Sequence, residues 1–136
     1  MIREIIWIEK YSVGVKQLDS QHQTILNELN RLYLTFESVS ESEDLKVILK
    51  DLIDYANVHF ASEEQLLEKY KYHDLDTQRS EHKLYQQKVD GFIQRFETEG
   101  HQLILETIGF LADWWMGHIQ GCDKEYTRFL NNNGVY

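Results

Sequence analysis

The chain has no proline at any of its 136 positions. Proline removes a helical hydrogen bond and breaks a helix interior, so its absence permits long uninterrupted helices. The apolar period says where they run. A first segment, from about Val15 to Glu37, places Leu18, His22, Ile25, Leu29, Leu32 and Phe36 on or near one stripe. A second starts near Ser42 or Asp44, with Ser42 as an ordinary cap, and continues through Leu52, Tyr55, His59, Leu66 and Leu67. A third is predicted from the N-cap candidate Asp74, with Asp76 in its first turn. It carries Gln78, His82, Tyr85, Val89, Phe92 and Phe96 and stops before Gly100. A fourth covers about His101 to Gln120, with Leu103, Ile104, Ile108, Leu111, Trp115 and His118. The stretch "DKEYTRFL" reads as a short C-terminal helix that "NNNG" ends.

Four helices of about 20 residues with short connections predict an all-α, up-down-up-down four-helix bundle. The length suits one domain over residues 1–136. The N-terminal "REIIWIEKYSV" is apolar and β-branched, but a lone strand has no partner, so it is expected as an extended arm packed along the bundle.

Charge narrows the function. The net charge is −9, from 23 acidic and 14 basic residues, with no basic stripe, so nucleic acid and anionic membrane surfaces are poor partners. No run approaches the roughly 20 apolar residues that span a bilayer, and charges at Arg3, Glu4 and Glu9 interrupt the N-terminus. Cys122 is the single cysteine, so an intramolecular disulfide and a cysteine-built zinc site are both excluded. A lone thiol fits a reducing compartment, and the cytoplasm is the expected location. As a small residue, Cys122 is expected to pack in the core.

Polar residues with inward positions carry the chemistry. His59 and Glu63 are four apart, about 40° from each other on one helical face. Gln78 and His82 repeat that spacing on the next helix. His118 stands on the fourth helix, with Asp123 five residues on where that helix is expected to end, and His22 stands alone on the first. Any one of these has an ordinary explanation: a hydrogen-bonded core histidine, a chance pair, a surface acid. Together they put a nitrogen ligand candidate on every helix. Carboxylates buried among Leu, Phe and Trp cost several kcal/mol or protonate unless cations neutralise them. Imidazole with carboxylate suits iron, manganese or zinc, and two carboxylates can bridge two ions within a bundle.

At these residues the chain resembles the hemerythrins, specifically the single-domain bacterial type. The resemblance rests on "WIEKYSVGVKQLDSQH" (7–22), "HFASEE" (59–64), "QRSEH" (78–82) and "HIQGCDKEY" (118–126), whose order and spacing fit the family across nearly the whole chain. It implies a non-haem di-iron centre, two iron ions cycling between Fe2+ and Fe3+ with a bridging oxo or hydroxo group, and O2 as a reversibly bound ligand. His22 and His59 would then hold the iron that receives O2, and Glu63 and Asp123 would bridge the pair. His82 and His118 would hold the other iron, where the family has a third histidine and this chain has Gln78. Gln78 either ligates through its carbonyl oxygen or hydrogen-bonds a water in the vacant position. His73, five residues earlier and about 140° around, reads as a loop residue rather than a substitute. Phe60, Trp114, Trp115 and Ile119 would form the apolar pocket around O2, and Tyr126 would hydrogen-bond a ligand from behind. Other functions fit the same residues: oxidase or peroxidase chemistry at an iron with a labile position, sensing of O2 or redox state for a protein partner the sequence does not name, or a structural or zinc-binding bundle.

Overall fold

A computed structural model describes residues 4–37 and 42–136 of the chain. The side chains of residues 42–44, 97 and 101 are outside the described residues, and the expected cap at Ser42 lies there with them. Four long helices form: α1 Lys16–Glu37, α2 Ser42–Lys69, α3 Leu75–Glu99 and α4 His101–His118, with a short α5 Thr127–Asn132 at the end. No strand occurs among the described residues. α1 packs against α2 and α4, and α3 packs against α2 and α4, which closes the four into an all-α bundle. The core follows the sequence stripes. Leu18, Ile25, Leu29 and Leu32 from α1 meet Leu52 and Ala56 from α2, Tyr85 and Val89 from α3, and Ile104, Ile108, Leu111 and Trp115 from α4 in one buried cluster.

Two helix ends differ from expectation. Asp74 occupies the N-cap of α3, yet its side chain makes no capping hydrogen bond. The regular part of α4 stops at His118 instead of near Gln120, and a π turn (Ile119–Asp123) and a 3-10 turn (Lys124–Tyr126) follow it. In a continued α-helix, Asp123 would lie about 140° around from His118. A π turn closes i→i+5 hydrogen bonds and is wider than an α turn, which swings the fifth residue back toward the face of the first, so Asp123 is buried in the core. Gly100 alone separates α3 from α4, at φ 62°, in the left-handed region that glycine adopts at little cost.

The N-terminal arm packs along the bundle, extended apart from a single 3-10 turn at Glu9–Tyr11. Asn30 of α1 holds it at both backbone groups: the Ile5 amide donates to Asn30 Oδ1 at 2.7 Å, and Asn30 Nδ2 donates to the Ile5 carbonyl at 2.6 Å. Further on, Val13 is fully buried, and its carbonyl accepts from Thr127 Oγ1 of α5 at 2.6 Å. Gly14 allows that approach, because a Cβ there would lie 2.6 Å from Thr127 Cγ2. No helix among the described residues is long and apolar enough to cross a membrane.

Candidate metal centre

Helical geometry delivers the predicted residues to one place. His22 lies on the apolar stripe of α1 and is carried inward with Leu18 and Ile25. His59 and Glu63 share a face of α2 one turn apart, as Gln78 and His82 do on α3. His118 ends α4, and the π turn brings in Asp123. All seven are at most 5 % exposed, with His22, Glu63 and Asp123 at 0 %, so water does not solvate their polar atoms.

The two carboxylates organise the others. Glu63 turns Oε2 toward His59 Nε2 (3.4 Å) and His22 Nε2 (3.8 Å), and Oε1 toward His82 Nε2 (3.0 Å). Asp123 turns Oδ2 toward His22 Nε2 (3.2 Å) and Oδ1 toward His118 Nε2 (3.0 Å). Each carboxylate thus divides its oxygens between two histidine pairs. Two ligand groups result, His22–His59–Glu63–Asp123 and Glu63–His82–His118–Asp123, each with its donor atoms within 4.8 Å of one another.

These donors fit metal ions. Among the described residues, nine buried side-chain nitrogen and oxygen atoms have no hydrogen-bond partner, and all nine belong to these seven residues. They include Nε2 of all four histidines, Glu63 Oε1, Asp123 Oδ2 and Gln78 Oε1. Buried polar atoms are normally paired, and leaving one unpaired costs about 1–3 kcal/mol. A concentration of lone pairs at one point is what cations would satisfy. Imidazole and carboxylate are the donor set that iron, manganese and zinc accept.

Outer partners set the orientation of several donors. Gln21 Oε1 lies 2.6 Å from His59 Nδ1, and Glu64 Oε2 lies 2.7 Å from His82 Nδ1, which leaves each Nε2 directed at the centre. Sequence reasoning missed both residues. Each sits beside a ligand, Gln21 before His22 and Glu64 after Glu63, and serves a histidine on the neighbouring helix. Tyr126 Oη donates to Glu63 Oε2 at 2.9 Å, in its expected place behind a ligand. Gln78 Nε2 donates to Asp123 Oδ1 at 3.0 Å and to the Cys122 carbonyl at 3.2 Å. His73 is exposed, with Nε2 3.8 Å from Asp74, and takes no part.

Aromatic rings wall the centre. Phe60 stacks on His82 at 4.0 Å and on Trp115 at 5.4 Å, and Trp114 stacks on His118 at 4.3 Å. Trp115 lies 5.9 Å from the His59 ring and donates through Nε1 to Tyr85 Oη at 3.1 Å. Ile119 is fully buried at the start of the π turn.

Electrostatics among these side chains follow from burial and pairing. Burial disfavours the charged form of His22, but Asp123 and Glu63 outweigh it and raise its pKa from 6.5 to about 9. For Glu63, burial pushes toward protonation, while His59, His22 and His82 hold it well below the usual carboxylate range. Burial and the negative charge of Glu63 push Asp123 up, yet His118 and His22 bring it below its ordinary value. Burial, with Asp123 and Glu81 nearby, pushes the Cys122 thiol up to about 12. Cys122 is only half-buried, so it rests at the edge of the core as a neutral thiol.

Tyr126 gives a direct check on the outer partners. Tyr126→Phe removes only the donor to Glu63 Oε2 and should weaken metal binding by about 10–100-fold, the usual consequence of losing such a partner. Competition titration against a chelator of known affinity measures it, and an unchanged affinity would show that the hydroxyl does not support Glu63.

Known proteins resemble this chain in sequence and fold. The family described as "Hemerythrin HHE cation binding domain" matches residues 13–130. The bacteriohemerythrin of Clostridium acetobutylicum is 27 % identical over 125 residues, covering 89 % of this chain and 97 % of that protein. The bacteriohemerythrin of Methylococcus capsulatus (strain Bath) is 32 % identical over 117 residues, covering 86 % and 88 %. A crystal structure of wild-type hemerythrin superposes with a TM-score of 0.83 at 29 % identity, over 93 % of this chain and 97 % of the other.

Proposed function

The chain belongs to the hemerythrin HHE cation-binding domain family, and on that footing we propose that its buried centre takes two iron ions and binds O2 at them reversibly, as an oxygen carrier, store or delivery protein. The observation that carries this reading is the division of carboxylate oxygens. Glu63 and Asp123 each present one oxygen to a histidine of one group and the other oxygen to a histidine of the second. Two carboxylates shared between two imidazole pairs would suit a dinuclear centre built from facing helices. His22 and His59 hold the first ion, and His82 and His118 hold the second.

Bound ferrous ions would supply the electrons that O2 accepts and returns. The chain's own residues supply the setting. Gln21 and Glu64 orient His59 and His82 through Nδ1, so that Nε2 is the ligating nitrogen. Tyr126 restrains Glu63. Phe60, Trp114, Trp115 and Ile119 form the apolar wall that keeps bulk water from the ions, a condition for reversible binding over irreversible oxidation. A cytoplasmic location belongs to the same proposal, supported by a single thiol and no possible internal disulfide.

Iron analysis with an anaerobic optical spectrum, followed by addition and removal of O2, tests the reading. Two irons per chain and a visible band that appears with O2 and disappears on its removal are expected. Steady consumption of O2 or peroxide with an added reductant, and no reversible band, would replace the carrier with a redox enzyme.

A further inference from the structure

Gln78 is the one residue of the centre whose part in it is ambiguous by chemistry, because an amide can give a hydrogen bond, accept one or ligate. Its environment removes most of that freedom. Nε2 faces two acceptors, the Cys122 carbonyl at 3.2 Å and Asp123 Oδ1 at 3.0 Å. Neither oxygen can donate, so the amide cannot be reversed without setting oxygen against oxygen. The carbonyl oxygen Oε1 is therefore the free end, in a residue 1 % exposed, and it has no hydrogen-bond partner. Every other atom in that condition among the described residues belongs to one of the six histidine and carboxylate ligands. The hydrogen bond to Asp123 Oδ1 ties the amide to the oxygen that also faces His118 Nε2, which places Gln78 beside the second ligand group rather than the first.

We infer that Gln78 is itself a ligand, its Oε1 completing the His82–His118 position, and that this position is consequently the oxygen-richer of the two and prefers Zn2+ over Mn2+ or Fe2+ less strongly than the His22–His59 position does. The inference rests on the two-metal reading above. The His22–His59 position has two imidazole nitrogens and two carboxylate oxygens. The His82–His118 position has two imidazole nitrogens and three oxygens, one of them neutral. Carboxylate and carbonyl donors suit harder ions such as manganese, whereas imidazole favours zinc and the later metals. A water in place of the amide oxygen would leave Oε1 unsatisfied unless it bonded that water, and a purely supporting amide would leave it unsatisfied altogether.

Two variants separate these cases: Gln78→Leu, which keeps the volume and removes all donor atoms, and Gln78→His, which returns an imidazole. Wild type and both variants are titrated with Mn2+ and with Zn2+, and the proton relaxation of water is read on the Mn2+-loaded protein, with circular dichroism melts of the metal-free forms as the check on folding. The expected results are that Gln78→Leu weakens the second Mn2+ by roughly tenfold or more and admits an additional exchanging water onto it. Gln78→His should raise the Zn2+ to Mn2+ preference of the second position by a similar factor and leave the first unchanged. A second Mn2+ bound as tightly, and with as many exchanging waters, in Gln78→Leu as in wild type would overturn the assignment while the two-metal reading stands. Should Gln78→Leu not fold, an unchanged metal preference in Gln78→His overturns it equally. Wild type that takes fewer than two ions of either metal overturns the assignment together with the reading beneath it.

Discussion

Stripping the metal from the purified protein with a chelator should lower its melting temperature by about 25 °C. The magnitude follows from mass action and is independent of what the ions do chemically. An ion present at a thousand times its dissociation constant stabilises the folded state by about 4 kcal/mol, so two contribute about 8 kcal/mol. For a domain of this size, 1 kcal/mol moves the melting temperature by roughly 3–5 °C. The lower part of that range is appropriate, because the metal-free centre recovers some energy by protonating His22, whose pKa of about 9 places a cation between Glu63 and Asp123 at neutral pH. An incoming ion has to displace that proton. Differential scanning calorimetry before and after metal removal measures the change. A fall of less than about 5 °C would mean that the orphaned donors are not satisfied by tightly bound ions.

Glu63 is the residue whose loss should cost most. It belongs to both ligand groups, directs one oxygen to each, and is completely buried. Glu63→Ala should abolish binding of both ions, a loss larger than the roughly 100-fold that removal of an outer partner brings. His82→Ala, by contrast, should lose the second ion and retain the first. Without ions, Glu63 is a buried carboxylate that His59, His22 and His82 hold well below the usual carboxylate range, and removing one member of a buried charged cluster leaves the others uncompensated. Glu63→Gln retains the volume and can still accept from Tyr126, but it removes the charge that His22, His59 and His82 face, so metal-free Glu63→Gln should be about 3 kcal/mol less stable than the metal-free parent. Chemical denaturation of both proteins in chelator gives the sign. A more stable metal-free variant would show that the two carboxylates repel each other more than their histidines hold them.

The centre is nonetheless built for an occupant. Nine of its buried polar atoms, Nε2 of all four histidines among them, have no hydrogen-bond partner within the protein. The aromatic wall imposes the same condition from outside. Phe60 stacked between His82 and Trp115, and Trp114 against His118, keep water from satisfying those atoms instead.

Much of this was present in the order of residues. Helix positions follow from a local period, and an interval of four places two side chains on one face whatever lies opposite. His59 with Glu63, and Gln78 with His82, were therefore legible as pairs before any packing was known, as were the core stripes of α1 and α4. Proline-free sequence and Gly100 together determined that the helices would be long and where two of them would reverse. The tertiary structure decided what depends on residues far apart in the chain. The π turn that returns Asp123 to the face of His118 departs from the regular period, so the period could not foretell it. Gln21 serves His59 across 38 positions and Glu64 serves His82 across 18, contacts set by how helices sit side by side. The orientation of the Gln78 amide was decided in the same way, since only the folded bundle brings the Cys122 carbonyl and Asp123 to one end of it. Sequence determines which donors a helix can present, but hydrogen bonds between helices determine which lone pairs are left over, and those are the ones a metal ion can take.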